Sequence, residues 1–418
     1  MLIVRGRKEL SGSVKISGSK NACLPIIAAS LLIEWKIRLT NVPRIGDVFT
    51  FLEILEWIWV EYSFRWDVLE MNTTHLKEAD FDLEKIKKIR VSILLLAPLL
   101  QRLGKVSIPT PGGCNLWARP IDSHLKWLED IGYSVHRELD HISLEWTTQP
   151  GDTEINAWFG VTATENLIVA NVMRAGKTTI YSAAIEPHVM NVIDFLRLAG
   201  ANIHIRYDHT IIIEGVEELK TSVNCSVVSD YIQSGTYAII AALASKQYLD
   251  IENACIQDLY MFLEKMKEAG VRIEDRWNDT LRVFRAENLQ NISFQTNIFP
   301  GFPTDLQSPF AVLMSQAEGK NRIHEILFEG RLGWLIELEK MGCECDVINH
   351  HEAHIYGKAN LKWAEVASWD LRAGAAMVIA WLIAEGETKI TNVEYIHRGY
   401  DNLVENLQKL WADIEERK

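Results

Sequence analysis

The residues with the clearest potential for chemistry lie in a loop rich in proline and glycine, residues 109–120. Such a composition excludes a regular helix or strand, because proline lacks a backbone N–H and glycine favours turns. Cys114 lies in this loop and Arg119 follows it closely. A nearby cation favours the deprotonated, nucleophilic thiolate form of an accessible thiol. The loop therefore predicts a reactive cysteine, and a surface turn that happens to carry a cysteine is the alternative.

A second candidate is the turn Ser17-Gly18-Ser19-Lys20-Asn21, which lies between a strand and an apolar helix. Gly18 permits a tight turn, and the N-terminus of a helix offers free N–H groups to an anion. Lys20 adds a positive charge. The spacing is not that of a Walker motif. The pattern indicates an anion-binding turn, with a solvated turn as the alternative.

Four arginines stand at the edges of apolar elements: Arg90, Arg331, Arg372 and Arg398. Each one alone is most simply a surface salt-bridge residue. If they converge on one cleft, they suit a ligand that carries a phosphate and a carboxylate, because a guanidinium group binds both in bidentate fashion.

Asp305 lies between a proline-restricted turn and an apolar helix. An aspartate at such a position either caps the helix or acts as a general base towards a substrate hydroxyl. From the local sequence alone, the helix cap is the preferred interpretation.

Two short patterns recur along the chain and indicate repeated helix–strand units. The first is a helix end, a glycine and a short strand, at Gly132, Gly200, Gly270 and Gly342. The second is the end of an apolar helix followed by Gly-x-x-x-hydrophobic, at Gly104, Gly176, Gly319 and Gly386. Glycine suits both junctions, because a helix that ends in a left-handed residue disfavours a Cβ atom.

Tryptophan occupies further copies of these junctions. Trp59 and Trp411 match the first pattern, and Trp35 matches the second. A positive φ is costly for so bulky a residue. The chain has 14 Trp, more than its 13 Phe or 11 Tyr, and only 24 Gly. We hypothesise that several tryptophans stand where the native protein has glycine, because its source reads UGA as glycine.

The repeats also predict the domain organisation. Six units, three in each half of the 418 residues, indicate two similar domains in which sheets enclose helices. The chain is expected to cross between the halves near Val228-Ser229-Asp230. We see no linker rich in proline, glycine or serine, so the halves are expected to face each other across a cleft.

Composition excludes several classes of protein. The net charge of −13 argues against a general nucleic-acid surface. The six cysteines fit neither a disulfide framework nor a zinc site. The first residues lack a signal-peptide core, and no apolar run is long enough to span a bilayer. We therefore expect a cytoplasmic protein with reduced cysteines, without membrane insertion and without a nucleic-acid partner.

Taken together, five motifs resemble those of the UDP-N-acetylglucosamine 1-carboxyvinyltransferases, a family of enolpyruvyl transferases. The motifs are Ser17-Gly-Ser-Lys-Asn-Ala22, Pro111-Gly-Gly-Cys-x-x-x-Ala-Arg-Pro120, Phe302-Pro-Thr-Asp-Leu-Gln307, Asp370-Leu-Arg372 and Arg398-Gly-Tyr400. Their order and spacing are specific, and the resemblance extends from Gly12 to the C-terminus.

The resemblance implies an α/β fold, the inside-out α/β barrel, with two similar domains built from six βαβαββ-type units. The first domain would be residues 20–228, which bind the UDP-sugar and carry the Cys114 loop. The second would be residues 1–19 with 229–418, which carry Asp305, Arg331, Arg372 and Arg398.

The implied reaction transfers the enolpyruvyl group of phosphoenolpyruvate to the 3-hydroxyl of UDP-N-acetylglucosamine and releases phosphate, at the start of peptidoglycan precursor synthesis. It proceeds by addition and elimination and requires no metal or organic cofactor. These two substrates are the implied partners, and the oligomeric state is left open.

The resemblance also implies roles for single residues. Cys114 resembles the loop cysteine that protonates the enol carbon or assists product release, and that fosfomycin alkylates. Asp305 resembles the base that faces the sugar hydroxyl. The cations implied in phosphoenolpyruvate binding and loop closure are Lys20, Arg90, Arg119, Arg331, Arg372 and Arg398. The other residues implied in substrate binding are Asn21, Pro120, Ile121, Asp122, Gly160, Val161, Leu327 and Asp370.

The chain departs from the family pattern mainly at tryptophans. The family usually has glycine at the positions of Trp117, Trp127, Trp277, Trp363 and Trp381, which supports the codon hypothesis. Trp158 stands where a polar or basic residue is common.

Two alternative functions remain. The fold relative 5-enolpyruvylshikimate-3-phosphate synthase shares the Gly-Ser-Lys turn but lacks a Pro-Gly-Gly-Cys loop, so it ranks lower. A non-catalytic UDP-sugar-binding homologue is disfavoured by the presence of Cys114, Asp305 and the arginines.

Overall fold

The structure, a computed structural model, describes residues 1–78, 81, 86, 90–110, 122–138, 140–146, 151–367 and 371–417. The chain divides into two compact units, which are Met1–Ser17 with Ser229–Lys418, and Gly18–Val228. We call them the discontinuous unit and the continuous unit. The domain boundaries predicted from the sequence lie between residues 19 and 20 and between residues 228 and 229, and these boundaries stay a prediction.

Helices alternate with strands along most of the described chain. Helices α1 to α7 span Lys20–Ala29, Gly46–Trp57, Leu96–Leu103, Asp122–Asp130, Val161–Asn171, Pro187–Leu198 and Tyr231–Ala244. Helices α8 to α13 span Tyr260–Glu268, Gln307–Ser315, Leu335–Lys340, Leu371–Ile383, Glu394–His397 and Leu403–Lys409. 3₁₀ helices span Ser30–Leu32, Arg90–Leu95, Ile256–Leu259 and Thr304–Leu306.

The strands are short. Strands β1 to β8 span Leu2–Arg5, Leu10–Lys15, Lys36–Thr40, Glu61–Arg65, Val68–Asn72, Lys105–Pro109, Tyr133–Arg137 and His141–Trp146. Strands β9 to β16 span Thr153–Asn156, Lys177–Tyr181, Asn202–Arg206, Thr210–Glu214, Ser222–Ser226, Ser245–Glu252, Ile273–Arg276 and Thr280–Phe284. Strands β17 to β23 span Ser293–Gln295, Gly319–His324, Glu344–Asn349, Glu352–Gly357, Glu365–Ala367, Glu387–Thr391 and Asp413–Glu416.

The sheets share one pattern. Five four-stranded sheets within the described ranges have a parallel edge pair followed by two antiparallel neighbours; their orders are β9-β10-β12-β11, β13-β3-β5-β4, β2-β14-β16-β15, β17-β18-β20-β19 and β21-β22-β1-β23. Strands β6, β8 and β7 form a smaller antiparallel sheet. Along the chain, β17-α9-β18-α10-β19-β20 is one complete βαβαββ unit.

Apolar helices fill the centre of each unit. In the discontinuous unit, α7, α9 and α11 contact one another, and nearly all their described residues are buried. A helix that is apolar on every side is stable only when it is enclosed. In the continuous unit, α1 is similarly buried from Ala22 to Ala29. The predicted inside-out α/β barrel, with helices inside and sheets outside, is confirmed.

The predicted left-handed junctions are confirmed at Trp59 and Trp411, whose φ angles are 65° and 74°. The same interpretation of Trp35 is wrong, because Trp35 does not have a positive φ. Trp35 instead leads directly into β3, so its backbone does not require glycine.

Candidate active site

Asp305 is held between two arginines in the discontinuous unit. Its Oδ1 accepts a hydrogen bond of 2.7 Å from Arg331 Nη2, and its Oδ2 accepts one of 3.1 Å from Arg372 Nε. Asp305 lies in the 3₁₀ turn before α9, Arg331 follows β18, and Arg372 is the second residue of α11. Both guanidinium groups are almost fully buried, whereas the carboxylate is 28% exposed. The site therefore keeps an acceptor group accessible between two buried cations.

The helix-cap interpretation of Asp305 is wrong. Leu306 is the N-cap residue of α9, and no side chain accepts a capping hydrogen bond there. Charge-assisted bonds to two guanidinium groups are stronger than one cap bond, so they fix the carboxylate instead.

The surroundings of Arg372 explain how a buried cation is kept. Burial lowers the pKa of Arg372, but the nearby Asp305, Tyr400 and Asp230 outweigh burial, and the pKa of the guanidinium lies above its ordinary value. Asp230 caps α7 by accepting hydrogen bonds from the N–H groups of Ile232 (2.9 Å) and Gln233 (3.2 Å). Burial raises the pKa of Asp230, and Arg372 opposes that shift. The starts of α7, α9 and α11 thus contribute to one charged cluster.

Aromatic packing supports the same cluster. The guanidinium carbon of Arg372 lies 5.5 Å from the centre of the Tyr400 ring. The Tyr400 hydroxyl is 3.1 Å from the hydroxyl of Thr236 on α7. Burial raises the pKa of Tyr400, which keeps it a neutral phenol. Arg398 is half-buried at the end of α12, two residues before Tyr400.

Lys20 forms a separate ion pair in the continuous unit. It is the first residue of α1, and its Nζ lies 2.5 Å from Asp47 Oδ2 on α2. The preceding Gly18 is required, because a Cβ atom there would lie 1.8 Å from the carbonyl oxygen of Asn41. Both side chains of the ion pair are largely buried, so the cation is held in a fixed position.

The other predicted residues fall into three groups. Asn21 follows Lys20 on α1, Gly160 is the N-cap residue of α5 and Val161 its first residue, and all three are half-buried. Leu327 lies after β18 and donates its N–H to Glu325. Arg90 and Asp122 each begin a helix, but their side chains lie outside the described part of the chain. Cys114, Arg119, Pro120, Ile121 and Asp370 lie outside the described residues altogether.

Known proteins match this chain over nearly its whole length. The profile of the EPSP synthase (3-phosphoshikimate 1-carboxyvinyltransferase) family matches residues 4–407. UDP-N-acetylglucosamine 1-carboxyvinyltransferase 2 of Carboxydothermus hydrogenoformans is 38% identical over 416 residues, 99% of this chain and 98% of the relative. The chain belongs to the UDP-N-acetylglucosamine 1-carboxyvinyltransferase family. A second family member, from Desulfosudis oleivorans, is 37% identical over 99% of this chain and 98% of its own.

Solved structures share the fold. The enolpyruvyl transferase NikO from Streptomyces tendae superposes with a TM-score of 0.90 at 24% identity, covering 99% of this chain and 98% of that chain. EPSP synthase from Acinetobacter baumannii gives a TM-score of 0.74 at 16% identity, with 99% of this chain and 100% of that chain covered. These structures support the fold, and the family resemblance predicted from five motifs is confirmed by the family profile and the sequence relatives.

In this family member, sequence reasoning missed several polar residues around the predicted ones. Asp47, Asp230, Thr304 and Glu325 were not predicted. Asp230 precedes an apolar helix, which is the usual signal of an N-cap, so it could have been found. Asp47 and Glu325 act through partners distant in sequence and leave no local pattern. Thr304 lies within the motif Phe302-Pro-Thr-Asp-Leu-Gln307, but the motif assigned it no role.

The described residues were also compared with what a metal site or a membrane-spanning helix requires. Among the residues that the structure describes, no three His, Cys, Asp or Glu side chains are placed to hold a metal ion. Within those same ranges, every helix is too short or too polar to cross a bilayer.

Proposed function

We propose that this enzyme transfers the enolpyruvyl group of phosphoenolpyruvate to the 3-hydroxyl of UDP-N-acetylglucosamine, in the first step of peptidoglycan precursor synthesis in the cytoplasm. The hydroxyl oxygen bonds to C2 of phosphoenolpyruvate while C3 gains a proton, and a tetrahedral intermediate forms. Loss of phosphate from C2 and of a proton from C3 then restores the enol double bond.

The observation that carries this proposal is the position of Asp305 between Arg331 and Arg372. Neighbouring opposite charges favour the ionised carboxylate, which is the form able to accept a proton from the sugar hydroxyl. The two arginines present a fixed positive field for the anionic substrate, and preorganised charge of this kind lowers the barrier for charge development.

We assign the remaining cations to the phosphate and carboxylate of phosphoenolpyruvate. Arg398 lies two residues before Tyr400, whose ring packs near Arg372. Lys20 is held by Asp47 in the other unit. Arg90 and Arg119 complete the proposed set. Asn21, Gly160, Val161 and Leu327 would bind the UDP-sugar together with Pro120, Ile121, Asp122 and Asp370.

Cys114 is proposed as the reactive thiol. Four of the five described cysteines are poor candidates, because their pKa values are raised. Burial raises the pKa of Cys23 and Cys345, and it raises the pKa of Cys225 to about 11 and that of Cys255 to about 12. The side-chain hydrogen bond between Cys345 and Cys343 raises the pKa of Cys345 further than burial does. Thiols with raised pKa values stay protonated and are weak nucleophiles.

The test is phosphate release from phosphoenolpyruvate with UDP-N-acetylglucosamine as acceptor. We expect turnover with this acceptor and none with shikimate 3-phosphate, the acceptor of the fold relative. An Asp305→Asn variant should bind UDP-N-acetylglucosamine but lose at least about 100-fold in kcat, since an amide cannot accept the proton. Binding of the UDP-sugar without phosphate release by the unaltered chain would favour the non-catalytic alternative.

A further inference from the structure

Glu325 is a fully buried carboxylate at the end of β18, and the motifs did not predict it. Its Oε1 accepts hydrogen bonds from the Thr296 hydroxyl (2.8 Å) and from the N–H groups of Leu327 (2.9 Å) and Phe328 (3.2 Å). Its Oε2 accepts a bond of 2.6 Å from the Thr304 hydroxyl. Burial of a carboxylate is costly unless donors surround it, so this group is built in with specific partners.

Thr304 connects Glu325 to the candidate active site. Its hydroxyl donates to Glu325 and accepts a bond of 2.6 Å from Arg331 Nη1. The other terminal nitrogen of Arg331 donates to Asp305. Because a hydroxyl has one proton, its donation to Glu325 leaves the oxygen lone pairs for Arg331. The bonds therefore form an ordered chain from Glu325 through Thr304 and Arg331 to Asp305.

We propose that Glu325 is a positioning residue for the transfer reaction, acting through Thr304 and Arg331 on the orientation of Asp305. This inference rests on the proposed function. The same carboxylate also fixes the N–H groups of Leu327 and Phe328, in the segment that leads to Arg331. Positional errors of a fraction of an ångström at a reacting group reduce rates strongly, so a buried anchor of this kind matters for kcat.

The chain offers a matched pair of variants. Thr304→Val removes the hydroxyl that joins Glu325 to Arg331. Thr296→Val removes a hydroxyl that bonds to the same carboxylate at 2.8 Å but does not contact Arg331. We expect Thr304→Val to lower kcat by about ten-fold or more and to displace the pH profile of kcat, and Thr304→Ser to restore both. Thr296→Val should change kcat by less than about three-fold while lowering the unfolding midpoint as much as Thr304→Val does.

A second readout is independent of turnover. Exchange of the Arg331 guanidinium protons, followed by nitrogen NMR on the unliganded protein, should accelerate in Thr304→Val and stay unchanged in Thr296→Val. Equal kcat losses in the two valine variants, or equal exchange rates, would overturn the positioning role. If the unaltered chain fails to release phosphate, the proposed function fails, and the exchange measurement still decides whether Glu325 orients Arg331.

A different observation carries a second inference, about tryptophan. The φ angle is positive at fifteen non-glycine residues of the described chain, and four of them are tryptophans: Trp59, Trp66, Trp158 and Trp411. Tryptophan makes up only 14 of 418 residues. Asparagine supplies five of the fifteen, as expected for a residue that tolerates this conformation, but tryptophan has no such tolerance.

Two of these tryptophans complete a sixfold set of helix ends. Residues 59, 132, 200, 270, 342 and 411 each follow a helix, and each has a positive φ. Four are glycine, and the exceptions are Trp59 and Trp411. Trp59 N–H bonds to Glu56 O (3.0 Å) and Val60 N–H to Leu55 O (3.1 Å). The N–H groups of Ala201 and Val271, which directly follow Gly200 and Gly270, make the same bond as the N–H of Val60. The tryptophans therefore occupy the glycine position of the Schellman motif.

The other two lie in loops. Trp66 is the first of two residues that join β4 to β5, and its φ is 56°. Two-residue hairpin loops favour glycine where φ is positive. Trp158 has a φ of 49° and precedes Phe159, whose φ is also positive. All four tryptophans are more than half exposed, so burial of the side chain offsets little of the backbone strain. The ring of Trp59 does lie 4.9 Å from Lys77 Nζ, an exposed contact of the kind that contributes about 1 kcal/mol or less.

We infer that these four tryptophans are glycines in the protein as its source makes it, with UGA codons read as glycine. Trp334 is a genuine tryptophan by the same criteria, since it is 4% exposed and its indole N–H bonds to Gln307 at 3.2 Å. The gene should therefore have TGA at 59, 66, 158 and 411 and TGG at 334. TGG at the four left-handed positions would overturn the inference.

The conformational basis can be measured on the purified chain. Trp59→Gly and Trp411→Gly should each raise the unfolding midpoint by about 2–4 °C, because each removes roughly 1 kcal/mol of backbone strain. Trp277→Gly is the matched control, because Trp277 is 92% exposed but has no positive φ. It should not raise the midpoint. An equal rise at 277 would show that removal of a surface tryptophan, rather than relief of strain, is responsible.

Discussion

Glu165, on α5, is a buried carboxyl group outside the proposed chemistry. Its Oε1 has no hydrogen-bond partner within the described chain. Burial, and to a lesser extent the nearby Glu186, raise the pKa of Glu165 well above its ordinary value. The group is therefore a neutral acid in the folded protein over a range of pH in which it is ionised in the unfolded chain.

The sign of the resulting pH dependence follows from proton counting. Above the ordinary pKa, the folded state binds more protons at this position than the unfolded state does, so stability falls as pH rises towards the raised value. Glu165→Gln removes this dependence. Measured by urea unfolding between about pH 5 and pH 8, the free energy of unfolding of the variant should rise relative to that of the unaltered chain. The difference should grow by at most about 1.4 kcal/mol per pH unit.

The exposed Glu154 provides the control for this measurement. Glu154→Gln removes one negative charge at an exposed position, and its curve is the reference for that change alone. If the curve for Glu165→Gln ran parallel to that of Glu154→Gln, the carboxyl group of Glu165 would not titrate differently on folding.

At the scale of elements, sequence periodicity was a good guide. The enclosed helices α7, α9 and α11 are continuous apolar runs, and the glycine junctions recur at regular positions, so both could be predicted. Trp59 and Trp411 were predicted as left-handed because repeats supply an internal standard. The same prediction failed at Trp35, because the second junction pattern does not always use a left-handed residue. Ser245, which ends α7 and leads into β14 without a glycine, has a φ of −70°.

The candidate site was less predictable, because its contacts join elements that are far apart in sequence. The partners of Asp305 lie 26 and 67 residues away, at Arg331 and Arg372. A local pattern shows an aspartate before a helix and favours a cap, and only the fold brings the two arginines to it. Glu325 illustrates the same limit, since Thr304 and Thr296 are 21 and 29 residues distant.

At the scale of the whole molecule, the chain begins and ends in one sheet. Strand β1 lies between β22 and β23, with Val4 opposite Thr388 and Ile414. Leu2, Ile3 and Val4 are buried. The N–H of Arg417 donates to the carbonyl oxygen of Met1 at 2.9 Å. The discontinuous unit is therefore completed by a strand that precedes the entire continuous unit in sequence.

This arrangement predicts opposite outcomes for two rearrangements of the chain. A circular permutant joins residue 418 to residue 1 through a short flexible linker and opens the chain after the exposed Tyr207, between β11 and β12. Because it keeps every strand pair, it should unfold within about 5 °C of the unaltered chain and still release phosphate. Deletion of residues 1–5 removes three buried apolar side chains, which costs roughly 5–9 kcal/mol, and leaves two strands without their shared neighbour. Calorimetry of the permuted and the shortened chain decides between these outcomes: an unchanged unfolding midpoint after the deletion would mean that β22 and β23 are stable without β1.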